Sequence, residues 1–583
     1  MLKEILASDQ IGFPILSLMI FLPLIGAMVI GWLREVRWVR RAALAITFAN
    51  VVFSIFLFTR FELGTDAMQF VEYLPWIPPL GISYHIGVDG ISLFLVMLTA
   101  LLFLLVVLFS WDTIAEQVRT YAVVLMVLET AMLGVFLAMD LVLFFFCWEG
   151  MLIPLYFLIK VWGNGPHRDY AALKYIVYTL TGSVLMLVGF ILLYLNYHDY
   201  ALRQNLSALY SFDLLDLLTA PVPPGKQFLI FLLMFFGFAF KGPIVPFHTW
   251  LPDVMKDGPI AVAVILGGVK MATYGLLRFN LPLLPEAAHQ LAPVMMTLAV
   301  IGIVYGAFIA LSRADLMSLM AYSGISHLGF VVLGLFTLNP LGLEGSLFHM
   351  INLGISAGGM MFIMGFLVRR QQSTAIAVYG GWAKQAPFLA AIFLIISLAS
   401  IAVPGTNVFI SEFLILAGVF KSHLLYAAIG VCGVVIGAAY ILFLYGRVML
   451  GYGEQPGVAS LLDLNRREAA IGIILAILII VLGIYPLPVL NRIEPSILMV
   501  TQRLNGDYPG RVVVKASSDA DARRPEPLTG SHTEGATLEE PCVHRQGFFD
   551  PSGENMICMR SLTPPSQAGT ALTMRVHPLS EVQ

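Results

Sequence analysis

The chain has 583 residues, 59% of them hydrophobic and only 12% charged, with a net charge of −3. A soluble domain carries about twice that share of charge, so one large water-soluble core is excluded, and no basic block points to nucleic acid. The mean hydropathy of +0.86 comes from repeated apolar runs, each near the roughly 20 residues that a helix needs to cross a bilayer.

In chain order, the runs predict about 14 spans. They fall at 12–32, 42–59, 90–110, 121–138, 140–160, 172–195, 227–248, 258–279, 292–311, 316–338, 344–367, 387–419, 424–450 and 470–490. No cleavable signal peptide is expected, because the first run is long and ends in charge. Loop charge tests the count. Arg34, Arg37, Arg40 and Arg41 follow the first span. Counting onward, the same side receives Arg119, Lys160, Arg168, Lys174, Arg313, Arg369, Arg370, Lys384, Arg447, Arg466 and Arg467. That side is expected to be cytoplasmic, which puts both termini on the other, periplasmic side of a bacterial inner membrane. From about Asn505 the chain turns rich in Ser, Pro, Glu and Thr, with no apolar face, and disorder is expected there.

Two spans carry helix breakers. In FGFAFKGPIVPFHTWLPD (236–253), Pro243 and Pro246 interrupt the seventh span beside Lys241. Each proline removes an N–H from the helical ladder. Backbone groups freed in this way are tolerated in a membrane only where protein or water meets them. In ISLASIAVPGTNVFISEFLIL, Pro404 and Gly405 interrupt the twelfth span ahead of Glu412. Breaks five spans apart imply two units of opposite orientation, an inverted repeat. The expected fold class is thus an all-α polytopic membrane protein with two inverted five-helix repeats and broken helices seven and twelve. Helices one to three occupy 1–120, the repeats 121–280 and 290–450, the last helix 451–500, and the polar tail 501–583.

An ionisable residue at a helix centre costs roughly 2.5–3.5 kcal/mol to insert, so such residues tend to line an ion or proton path. Glu149, Lys241, Lys270, His327, His349 and Glu412 are the candidates, with His248 a further one beside the first break. Lys270 and Lys241 could instead snorkel to an interface, and the histidines could be satisfied core residues. Cys147, Cys432, Cys542 and Cys558 have no metal-type spacing; the first two read as buried small residues.

Six stretches together resemble a known family: GVDGISLFLVMLTALL (87–102), FCWEGMLIPLYFLIKVWG (146–163), YTLTGSVLML (178–187), PFHTWLPD (246–253), MAYSGISHLGF (320–330) and PGTNVFISEFLIL (404–416). They are similar to the antiporter-like chain M of proton-pumping NADH:quinone oxidoreductase, respiratory complex I. PFHTWLPD alone also fits chains L and N and the cation/proton antiporters. The resemblance implies a mid-membrane proton path through Glu149, Lys241, Lys270, His327 and Glu412, with His248 and His349 secondary. It implies partner membrane-arm subunits, chain L- and chain N-like ones included. NADH, FMN, iron–sulfur clusters and quinone are expected on partner subunits and no cofactor or metal in this chain, which has neither a dinucleotide fingerprint nor a cluster-type cysteine pattern. The alternatives are a subunit of a cation/proton antiporter, a subunit of a related membrane-bound hydrogenase, or a space-filling subunit that conducts nothing. This sequence departs from the family at VMKDGPI (254–260), where a segment like AHTEAPT is usual, and the family's histidine of span eleven falls at about Leu353. His349 stands one helical turn earlier.

Overall fold

Hydrocarbon offers no partner to an amide, so an apolar run must satisfy its own backbone as a helix. The computed structural model describes residues 4–451 and 462–506, and the backbone of 555–557 and 576–578. Among the described residues, 13 helices are long and apolar enough to cross a membrane. The predicted fourteenth is present as two pieces. Span twelve is split into Pro387–Ser400 and Asn407–Ser422, each too short to cross alone. Between them Gly405 takes φ +93°, a left-handed conformation suited to glycine.

Span seven is likewise interrupted. Pro224–Lys241 ends at the lysine and the chain resumes a helix only at Trp250–Asp257. A third interruption was not legible in the sequence. The eighth span is made of Ile260–Gly268, Met271–Gly275 and a wide π turn at Leu276–Asn280, with Lys270 at the first gap. No proline marks it. The pair Gly267–Gly268 precedes it, and a Cβ on Gly268 would lie 2.7 Å from Leu102. Gly268 thus packs closely against the third span just ahead of the gap.

The fold is not purely helical. Glu4–Leu6, Met68–Ile77 and Ile82–Val88 form a three-stranded sheet on the face expected to be periplasmic. At the tight turn before its last strand, Gly81 has φ +66°, and a Cβ there would fall 2.2 Å from the Tyr210 carbonyl oxygen. The sheet anchors the first span, Ile15–Trp32, whose N-terminus has no side-chain cap of its own. The Glu72 carboxylate supplies one, accepting from the N–H groups of Leu16 (2.7 Å) and Ser17 (3.2 Å) and from the Ser17 hydroxyl.

The opposite face is tied by ions. Asp112, Arg369, Arg467 and Glu468 lie in one network with Arg370, whose guanidinium is 2.7 Å from Glu468. The end of the third span, the end of the eleventh and the start of the fourteenth thus meet on one side, as the loop-charge alternation requires. After the last span, Arg466–Ile484, an amphipathic helix Leu487–Leu504 turns back across the face that carries the sheet. Its Ser496 hydroxyl accepts from the Gly90 N–H, and the Leu504 carbonyl lies 3.0 Å from His289. The helix runs past residue 501, where the polar tail was expected to begin. Most of that tail lies outside the described residues; within it Asn555–Ile557 pairs antiparallel with Val576–Pro578. Cys432 is exposed on its helix and Cys147 half-buried, so neither is the fully buried residue expected. Both sit on helix sides that face outward in part.

A fully buried ion pair holds the third span to the eighth. Asp89, 0% exposed, accepts two bonds from Arg278 at 2.8 and 2.5 Å. It also accepts the N–H groups of Ile91 and Ser92. Removing one partner of such a pair leaves an uncompensated charge, at a cost of about 3–5 kcal/mol. Arg278→Met is therefore expected to deplete the chain from the membrane, measured by quantitative immunoblot, whereas the double variant Arg278→Met with Asp89→Leu recovers part of the loss.

On the sheet, His85 is held between the Asp213 carboxylate and Glu4, 3.3 Å from its Nε2. Burial opposes the charged ring, but the hydrogen bonds and charges of Asp213 and Glu4 outweigh it and lift His85 to about 10. Its contribution is fully present below the unfolded value of about 6.5 and is lost as pH rises through about 10. Thermal unfolding temperatures in lipid nanodiscs should fall over that window in the wild type, and His85→Gln should flatten this part of the dependence.

Candidate functional site

Lys241 and Lys270 lie at helix interruptions and Glu412 stands in the helix that follows another, whereas His327 and His349 sit within the continuous helices Leu316–Leu335 and Pro340–Gln371. Lys241 is the last residue of its half-helix and is buried. Its ammonium donates to the Trp148 carbonyl at 2.5 Å and lies 4.1 Å from the centre of the Trp148 ring. Trp148 and Glu149 end the helix Leu141–Gly150, which is interrupted at Met151 before Leu152–Trp162 continues the fifth span. Glu149 is half-buried and within electrostatic reach of Lys241. Lys241 bonds the carbonyl beside Glu149, and Glu149 Oε1 is buried with no hydrogen-bond partner. The expected carboxylate–lysine pair is thus an adjacency rather than a closed salt bridge.

The interruptions of the seventh and eighth spans abut. A Cβ on Gly242 would fall 2.2 Å from the Ala272 Cβ, which places the break after Lys241 against the helix that Lys270 begins. Lys270 donates to the Gly267 carbonyl at 2.6 Å and lies within electrostatic reach of His349.

His349 belongs to a second cluster. His327 Nδ1 is 3.4 Å from Glu412 Oε1, and His349 Nε2 is 3.9 Å from the same oxygen. All three residues are buried, His349 completely. The His349 tautomer follows from its neighbours. The Ser411 hydroxyl donates to the Val408 carbonyl at 2.9 Å, so toward His349 Nδ1, also 2.9 Å away, it accepts. A neutral His349 therefore carries its proton on Nδ1 and points the Nε2 lone pair at Glu412. Two ring nitrogens and a carboxylate oxygen face one another, and neither His327 Nδ1 nor His349 Nε2 has a hydrogen-bond partner. Such an arrangement calls for a proton or another cation between them.

His248 does not join this row. Its Nε2 is 3.3 Å from the Tyr305 hydroxyl, and its ring packs on Tyr305 and Tyr322. Leu353, where the family histidine is expected, is buried among apolar residues. His349 occupies the polar position one turn earlier, so of the secondary candidates it alone reaches the cluster.

The buried ionisable groups that were missed include Asp89, Arg278 and Glu129. Asp89 stood inside a quoted motif but was not treated as a charge, and Arg278 sits in the apolar run YGLLRFNL. Glu129, 0% exposed in the fourth span, satisfies the same rule that picked out Glu149. Its Oε1 accepts from the Asn50 amide at 2.9 Å, and its Oε2 is unpartnered.

The model of the NADH:quinone oxidoreductase/Mrp antiporter transmembrane family matches residues 138–437. The chain belongs to this family. It is 37% identical over 512 residues to NADH-quinone oxidoreductase subunit M of Rhodobacter capsulatus, covering 85% of this chain and 97% of that one. NADH-ubiquinone oxidoreductase chain 4 of Marchantia polymorpha is 35% identical over 491 residues, covering 84% and 97%. Among solved structures, a chain of respiratory complex I from Thermus thermophilus with bound NADH aligns with a TM-score of 0.74 at 28% identity, covering 83% of this chain and 99% of that one. A chain of the Mrp complex from Dietzia shares the fold at a TM-score of 0.71 and 20% identity, covering 84% of this chain and 51% of that one. The matched segment contains Glu149, Lys241, Lys270, His327, His349 and Glu412.

Glu129 and Asn50 yield a test of the missed site. Glu129→Gln keeps an acceptor for the Asn50 amide, so the chain should accumulate normally. Glu129→Leu leaves that amide unpaired in the interior, at about 1–3 kcal/mol. Protease resistance of the membrane-embedded chain should therefore drop for Glu129→Leu and hold for Glu129→Gln.

Proposed function

We infer that this chain is a proton-translocating membrane-arm subunit of NADH:quinone oxidoreductase. Electron transfer takes place elsewhere in the complex, on partner subunits that hold FMN and iron–sulfur clusters and that bind NADH and quinone. Its neighbours in the membrane are other antiporter-like subunits, of the chain L and chain N type. The setting is a bacterial inner membrane with both termini on the periplasmic side. The observation that carries the reading is the coincidence of helix breaks with buried Lys241, Lys270 and the His327–Glu412–His349 cluster.

A proton from the cytoplasmic side loads Lys241 and passes to Lys270 across the abutting breaks. It then moves to the cluster at Glu412, where His349 stands in for the family's span-eleven histidine. Glu149 acts on Lys241 through charge. As the carboxylate approaches, the ammonium holds its proton; as it withdraws, burial favours release. Lys241 hangs on a carbonyl rather than on Glu149 itself, so a small shift of the fifth span can change this balance. Each proton moved against 100 mV costs about 2.3 kcal/mol.

The test is Lys241→Ala in the assembled membrane complex. NADH:quinone turnover and NADH-driven proton uptake should both fall by about 100-fold or more, the scale of a lost proton-transfer group. Retained turnover and uptake would sink the reading and leave Lys241 structural. NADH-independent, cation-dependent proton movement by the wild type would favour an antiporter subunit.

A further inference from the structure

We propose that His327, His349 and Glu412 form a binding site for a zinc-class divalent cation. Among the described residues they are the one group of three or more His, Cys, Asp or Glu whose ligand atoms all lie within 4.8 Å of one another. Two imidazole nitrogens and one carboxylate oxygen are a donor set that zinc takes, with a fourth position left to water. Zinc–nitrogen bonds of about 2.0 Å at tetrahedral angles put ligand atoms roughly 3.3 Å apart. The separations from Glu412 Oε1 are 3.4 and 3.9 Å and the two ring nitrogens lie within 4.8 Å of each other, so the rings turn inward to take a common ion.

The orientation of the donors is the stronger argument. His349 is completely buried, and its Nε2, like His327 Nδ1, has no hydrogen-bond partner. The Ser411 hydroxyl accepts from His349 Nδ1–H and so keeps the Nε2 lone pair free and aimed inward. Ligating histidines are held in this way by an outer partner on the second nitrogen. The fold thus presents a preset ligand with its outer partner already in place. The register of this chain creates the arrangement, because Leu353, one turn further on, offers no donor.

Lys270 lies within electrostatic reach of His349, so a bound dication and a protonated Lys270 oppose one another. Metal ligands must also be deprotonated. Zinc and a relayed proton therefore exclude each other, and zinc is expected to halt proton uptake. That consequence, and entry of the ion through the water of the path, rest on the proton-path reading given above.

The experiment uses the purified complex in proteoliposomes with added zinc. Bound zinc is counted by equilibrium binding and its ligands are read by zinc-edge X-ray absorption, which does not depend on activity. The wild type should bind one more tight zinc than His349→Gln, with two imidazole nitrogens in its first shell. Ser411→Ala, which keeps all three ligands, should weaken that site by roughly tenfold or more. Equal occupancy and affinity in the wild type and both variants would overturn the site and assign any bound zinc to other surfaces. If zinc binds as expected while saturating zinc leaves NADH-driven proton uptake unchanged, the site stands and the proton-path reading falls.

Discussion

Everything in this fold follows from the lack of hydrogen-bonding partners in hydrocarbon. A backbone amide or a charge placed at bilayer depth must find its partner within the protein or in enclosed water. The chain answers in two ways. Asp89 and Arg278 satisfy each other and the neighbouring amides completely, and the result is a fixed brace between two spans. Glu149, His327 and His349 each keep a buried polar atom without a partner, beside interruptions in the helical ladder. The first solution is static because nothing remains to be gained by rearrangement. The second leaves groups whose energy depends on where a proton sits, as a relay requires.

The apolar runs were legible in the sequence by their length, and the two proline-marked breaks and the charges Glu149, Lys241, Lys270 and Glu412 because each violates the composition of an ordinary span. Where the physical signal was of another kind, reading failed. The break at Lys270 has no proline; it follows the pair Gly267–Gly268, and glycine alone does not announce a break in a span. The external sheet was hidden because Met68–Ile77 changes from buried to exposed along its length and does not alternate. Glu129 was a lapse of a different sort, since the rule that found Glu149 applies to it equally. The carboxylate–lysine pair was right in its members and not in its contact: spacing shows that two residues are near, and only packing shows that Lys241 reaches a carbonyl instead.

His349 illustrates how a helical register tolerates change. Moving a side chain by four residues shifts it one turn along the same face. A histidine displaced in this way still looks into the same crevice, at a different depth. The helix Asn407–Ser422 begins at a break, which brings Ser411 and Glu412 to that depth. Ser411 then fixes the ring and Glu412 faces its free nitrogen. A shift of one, two or three residues would have turned the ring off that face by about 100°, 160° or 60°, and only the last of those misalignments is recoverable by side-chain rotation.

The two halves of the row thus differ in what they can do. At Lys241 a single cation sits against a carbonyl, an aromatic face and a carboxylate held slightly apart, so its proton affinity responds to small movements of the fifth span. At Glu412 two imidazoles and a carboxylate share one small volume, so a proton there can be exchanged among three atoms with little motion of the backbone. The break after Lys241 packs at Gly242 against Ala272 in the helix that follows Lys270, so on the proposed path Lys270, held by the Gly267 carbonyl, is the group that stands between the two halves.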